Sequence, residues 1–228
     1  MQEFHFNTRD EASIAAAAAL AELIGRRLTT QGAASLVVSG GTTPGRCFAE
    51  LAATDLDWQH VSVVLSDERW VPPDSDDSNE KLVRESLLTG HATGASLLSV
   101  YEPDTSPEAR SETMADEIRA LPFPFAAALL GMGEDGHFAS LFPDAANLGE
   151  GLDTDSARLC LPVATAASPH PRISLSLAAL SRSDEIVLLV FGEKKLRVIE
   201  AAKEAENDLP IARLLRQKRA PVNVYWAP

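Results

Sequence analysis

Three apolar runs of strand length, at residues 34–38, 61–65 and 125–130, lead straight into polar, turn-forming stretches, and segments of helical periodicity lie between them. That alternation restricts the chain more than any other feature. A short uninterrupted apolar run suits a strand buried on both faces, and strands alternating with helices form parallel sheets covered on both sides. The expected fold is α/β, a mostly parallel sheet with helices on both faces. No linker, internal repeat or low-complexity tract interrupts the pattern, so residues 1–228 are read as a single domain.

Local signals give the other elements. Thr8 and Glu11 form a capping box for a helix from Asp10 to Thr30 that Gly32 stops, and Pro44 suits the first turn of a helix from Arg46 to Ala53. Helices are expected from Asn79 to Leu88 and, with Ser106 as cap and Pro107 at the first position, to Ala120. Residues 164–171 are read as an exposed loop. Arg172 to Leu177 alternates like a half-buried strand, although Leu177 to Leu180 could begin a helix. A strand from Glu185 to Phe191, a helix from Gly192 through Lys203 and a terminal strand from Val222 to Trp226 complete the reading.

Charge narrows the partners. With a formal net charge of −13 and no dense basic stretch, the chain repels polyanions, so nucleic acid is not an expected partner. An anionic substrate must be small and held by a few local cations. The alanine-rich run from Ile14 to Leu20 is too short to span a membrane and is flanked by Asp10, Glu11, Glu22, Arg26 and Arg27, so it reads as a soluble helix of a cytoplasmic protein. Cys47 and Cys160 form no metal-ligand or CxxC pattern, and no two histidines have metal-ligand spacing.

The residues able to carry chemistry follow the apolar runs. Ser39-Gly40-Gly41-Thr42-Thr43 has the parts of a phosphate or carboxylate cradle, although a capped strand-to-helix connection would look the same. Asp67-Glu68-Arg69 places two acids and a cation after the second run. Gly131 to Pro143 holds three glycines around His137 and is expected to turn into a short helix, whose N-terminus would keep the imidazole neutral while Glu134 and Asp135 oppose that. In a parallel sheet these loops share one edge, where open α/β sheets bind ligands. Arg172 and Lys195 are candidate anion-binding cations, with Lys194 as the rival of Lys195.

In this order, SGGTTP, SDERWVPPDSDDSN, GMGEDGHFASLFP, PRISLSLAAL and FGEKK resemble the 6-phosphogluconolactonase family over roughly residues 35 to 200. The resemblance implies a Rossmann-like fold and hydrolysis of a small phosphorylated sugar lactone, 6-phospho-D-glucono-1,5-lactone, without metal or organic cofactor. It implies that His137 is the general base and that Asp67 and Arg69 face the sugar ring. Gly40, Gly41 and Thr42, beside Ser39, would hold the phosphate together with Arg172 and Lys195. Two positions depart from the family pattern: Phe138 replaces a small hydroxyl residue, and Lys194 replaces a glycine. A monomer is expected. The rival readings are an amino-sugar deaminase or sugar-phosphate isomerase, and a non-catalytic sugar-phosphate sensor.

Overall fold

Each apolar run becomes a strand, and the polar stretches after them gather at one end of the sheet. The computed structural model describes residues 1–166 and 168–228. Along the chain lie β1 (Gln2–His5), α1 (Arg9–Gln31), β2 (Ala34–Val38), α2 (Gly45–Ala52), β3 (Val61–Leu65), β4 (Asp67–Arg69), α3 (Asn79–Ser86), β5 (Ser96–Leu98) and α4 (Pro107–Ala120). Then come β6 (Ala127–Leu130), α5 (Leu148–Gly151), β7 (Cys160–Val163), β8 (Arg172–Leu175), α6 (Leu177–Leu180), β9 (Ile186–Phe191), α7 (Glu193–Lys203), α8 (Pro210–Arg216) and β10 (Val222–Ala227).

Seven strands form one sheet in the order β1-β10-β9-β6-β2-β3-β5, and every pairing in it is parallel. All residues of β2 and β6 are buried, which requires cover on both faces. The α/β, mostly parallel fold expected from the alternation is the one observed. From β2 the chain grows outward through β3 and β5, then returns to the other side of β2 with β6, β9 and β10. The order therefore reverses between β2 and β6, and the loops following those two strands flank the crevice that such a reversal opens. Ser39 N–H donates to the Leu129 carbonyl across it at 3.0 Å.

The capping signals worked as local chemistry predicts. The Thr8–Glu11 box forms, Gly32 ends α1 at φ 74°, and Ser106 caps α4 with Pro107 in the first turn.

Three expectations need correction. Asp67–Arg69 is not a loop but strand β4, part of a second sheet, β4-β8-β7, whose pairings are antiparallel. The alternating stretch at 172–177 ends as a strand at Leu175, with Leu177–Leu180 forming the helix α6 that the sequence left open, and β8, the central strand of that second sheet, is buried from Ile173 to Leu175 rather than half-buried. The helix expected after Gly131–His137 is absent: Phe138 pairs with Leu141 across a tight turn, with Ala139 at φ 47°. The loop expected over 164–171 includes Ala167, which lies outside the described residues.

Candidate active site

Every residue singled out as a candidate, namely Ser39, Gly40, Gly41, Thr42, Asp67, Arg69, His137, Arg172 and Lys195, lines one cleft of about 290 Å³ at the C-terminal ends of β2 and β6. Thr43, Asn79, Gly131, Met132, Gly133, Phe138 and Ala139 complete its walls.

The second sheet builds one wall. Side chains alternate across a strand, so Asp67 and Arg69 share a side of β4 while Glu68 points the other way. Asp67 and Arg69 reach the cleft, whereas Glu68 is buried and takes no part in it. Its carboxylate accepts from Arg69 N–H, the Ser78 hydroxyl and the N–H groups of Asn79 and Glu80, so it closes the first turn of α3. Burial pushes the Glu68 carboxyl above its ordinary value, and those donors oppose the shift. Asn79, fixed at the start of α3, donates its amide to the Asp67 carbonyl at 2.9 Å. It also explains Gly40, because a Cβ there would lie 1.9 Å from Asn79 Oδ1.

The register of β4 with β8 sets Arg69 directly opposite Arg172. Like charges in that position repel. Each of these arginines has a buried Nε with no hydrogen-bond partner. Arg69 spends an Nη1 bond on the Asp77 carbonyl. Arg172 Nη1 reaches Ser140 Oγ at 3.3 Å and Asp67 Oδ2 at 3.6 Å. Burial pulls the Arg172 guanidinium below its ordinary value; Asp67 opposes the shift and Arg69 adds to it. The Asp67 carboxylate is itself engaged, by Ser66 at 2.8 Å and Ser140 at 2.5 Å. Two half-buried arginines, each with a buried and unpaired Nε, describe a candidate site for an oxyanion.

Lys195 adds the third cation from the first turn of α7, behind Gly192 at φ 95° and with no side-chain cap on that helix. Burial lowers its pKa from the ordinary lysine value. Lys194 is turned outward and lies 3.6 Å from Glu134, so the geometry favours Lys195 as the cation facing the cleft. Across from Lys195, Gly41 takes φ 84°, and α2 begins without a side-chain cap. Its first-turn N–H groups, which a helix leaves unpaired, therefore lie beside the cleft.

The other wall is the glycine loop after β6. His137 Nδ1 lies 2.6 Å from Asp135 Oδ1, which also accepts the His137 backbone N–H at 3.2 Å. A carboxylate only accepts, so Nδ1 is the nitrogen that carries a proton in this contact, and the neutral ring in that tautomer has its lone pair on Nε2. Gly133 N–H donates to the His137 carbonyl, closing the loop. A Cβ on Gly133 would come within 2.3 Å of the imidazole. The helix N-terminus expected to keep the ring neutral is therefore missing, and the group that meets the ring is Asp135. Phe142 touches both walls, its ring 4.1 Å from the imidazole centroid and 5.4 Å from Arg172 Cζ. Phe138 is fully buried and packs in the core, which accounts for an apolar residue beside the histidine.

Sequence reasoning missed Asn79, Ser140 and Phe142. Ser78 as the α3 cap was a local signal for Asn79's place. Ser140 and Phe142 carried no signal beyond lying near His137.

A mostly parallel α/β sheet with a cation-lined cleft and a carboxylate-bound histidine at its switch point defines a class of α/β proteins with a ligand-sized cleft at the strand ends. The chain belongs to the glucosamine-6-phosphate isomerase/6-phosphogluconolactonase family, whose model matches residues 7–226. A 6-phosphogluconolactonase of Pseudomonas aeruginosa is 39% identical over 213 residues, covering 91% of this chain and 88% of that protein. One of Mesorhizobium japonicum is 39% identical over 223 residues, covering 98% and 94%. The crystal structure of a 6-phosphogluconolactonase from Shewanella baltica superposes with a TM-score of 0.96 at 37% identity, over 100% of this chain and 98% of that one. A monomeric glucosamine-6-phosphate deaminase, 18% identical with a TM-score of 0.79 over 98% of this chain and 97% of that one, shares the fold.

Proposed function

We propose that this chain hydrolyses 6-phospho-D-glucono-1,5-lactone to 6-phospho-D-gluconate, with His137 as general base. The observation that carries the reading is the opposition, within one cleft, of a three-cation pocket and a histidine whose Nδ1 is bound to a carboxylate. The names of the relatives support the substrate. The phosphate rests between Arg69, Arg172 and Lys195 and against Gly40, Gly41, Thr42 and Ser39, which turns the lactone carbonyl toward His137. Arg69 serves the phosphate as well as the sugar ring, since it stands opposite Arg172. Asp67 is a positioning residue, holding Ser140 and Arg172 in place.

The lactone carbonyl is already electrophilic. His137 Nε2 takes a proton from water as the water oxygen bonds to the carbonyl carbon, giving a tetrahedral intermediate. Collapse breaks the bond to the ring oxygen, and the imidazolium returns its proton to that oxygen. Asp135 stabilises the imidazolium between the two steps, as a carboxylate on the far nitrogen does in hydrolytic triads. Water is the sole co-reactant, and the chemistry calls for neither metal nor organic cofactor.

The reading takes the chain as a single-domain, monomeric, cytoplasmic enzyme without a nucleic-acid or membrane partner. Among the described residues no helix is long and apolar enough to cross a membrane. The deciding experiment is a direct assay on freshly generated lactone, corrected for spontaneous ring opening. Hydrolysis above the spontaneous rate is expected; no acceleration by the purified protein would overturn the assignment.

A further inference from the structure

A second cavity lies behind the phosphate wall. Arg9, Asp10 and Ser13 of α1 line it with Arg46 of α2, Phe191 and three residues of the main cleft, Thr42, Thr43 and Lys195. Three cations face one acid there. Arg9 is held between the Pro228 oxygen, which accepts from Nε at 2.9 Å, and the Phe191 ring, 5.5 Å from its guanidinium carbon. Arg46 pairs with Glu50 through Nη2 at 2.6 Å.

Ser13 is the independent observation. It is only 1% exposed, yet its hydroxyl has no hydrogen-bond partner. A hydroxyl in a helix normally returns to the carbonyl four residues back. Thr29 and Thr30 of the same helix do so, at 2.8 and 2.9 Å. Ser13 does not, and a buried hydroxyl without a partner costs free energy that a ligand atom would recover.

We infer that this cavity is a second oxyanion subsite, for a phosphate-type group, sharing Lys195 and the Thr42–Thr43 backbone with the active cleft. Arg9 and Arg46 supply charge, Ser13 supplies a buried donor and Lys195 forms the common wall. Because one lysine serves both anions, filling the subsite weakens binding of a phosphorylated ligand in the cleft, and the reverse holds by linkage. The inference concerns binding alone and stands whether or not the lactone is the substrate.

The test is a calorimetric titration of inorganic phosphate into the full-length protein, with chloride replaced to hold ionic strength constant. A second saturable equivalent is expected beyond the one in the cleft. Arg46→Gln, at an exposed position, and Ser13→Val, checked by thermal melting, should each weaken one equivalent about tenfold and leave the other. Lactone turnover at low phosphate should stay within about twofold in both variants. A single saturable equivalent in the unmodified protein, or two that neither variant alters, would overturn the proposal. Repeating the titration with 6-phosphogluconate separates the sources. A second bound ester identifies a phosphate ester as the occupant; one ester, with inorganic phosphate still binding beside it, identifies the free anion.

Discussion

The wall that carries Arg69 and Arg172 is regular structure, a strand pair whose register sets two arginines opposite one another, whereas the wall that carries His137 is a loop shaped by Gly133, Gly136 and one carboxylate. The first holds its geometry through backbone pairing and accepts electrostatic repulsion in doing so. The second depends on close contacts that a single methyl group would break. On the proposed reading, a regular strand pair would receive the ligand and a closely spaced but locally supported histidine would process it. Phe142 touches both.

Substitutions can break that contrast. His137→Ala should lower kcat by roughly 10²- to 10⁴-fold and leave KM within about twofold; retention of most of the rate, after correction for spontaneous opening, would remove the histidine from the chemistry. Next in size, Gly133→Ala puts a Cβ 2.3 Å from His137 Nδ1 and 2.4 Å from Asp135 Oδ1. The displaced ring should cost about 10²-fold in kcat with the phosphate wall intact. Steady-state kinetics that show a KM effect instead would mean the two walls are not separate.

Arg172→Ala tests the anchor. KM for the phosphorylated lactone should rise about 10- to 100-fold, while unphosphorylated gluconolactone changes little. Equal effects on both substrates would dissolve the phosphate assignment. The smallest effect belongs to Lys195→Met. Burial lowers the Lys195 pKa, so wherever the side chain is protonated in the folded state its charge costs stability, and that cost is lost as pH rises through the folded value toward the ordinary one. Removing it should raise the melting temperature at pH 7 while weakening phosphate binding. The gain should fade as pH rises toward 10.5, the ordinary lysine value, and a melting temperature that falls at pH 7 would contradict the sign.

What was readable in the chain divides along the same line. Ser39–Thr43, Gly131–His137 and Lys195 each follow a strand of the parallel sheet, so local composition and the rule that strand ends share an edge were enough to gather them. Asp67, Arg69 and Arg172 could be named but not arranged. Their mutual positions come from antiparallel pairing between β4 and β8, and nothing local in Asp-Glu-Arg announces a partner so distant in sequence. The same limit hid Ser140, which matters because it bonds to Asp67. The missing helix after His137 is a different failure. Glycines suggested a turn into a helix, but Phe138 and Leu141 are both drawn into the core and close a tight turn instead.

The opposed arginines have a consequence for the protein's stability. The repulsion between them is offset in part by Asp67, and by mass action an oxyanion bound to the folded chain adds to its stability. A bound ligand at a hundred times its dissociation constant contributes about 2.7 kcal/mol, a sizeable share of the 5–15 kcal/mol typical of a folded domain. Such a ligand should therefore raise the melting temperature of the purified chain and slow its proteolysis in step with its free concentration.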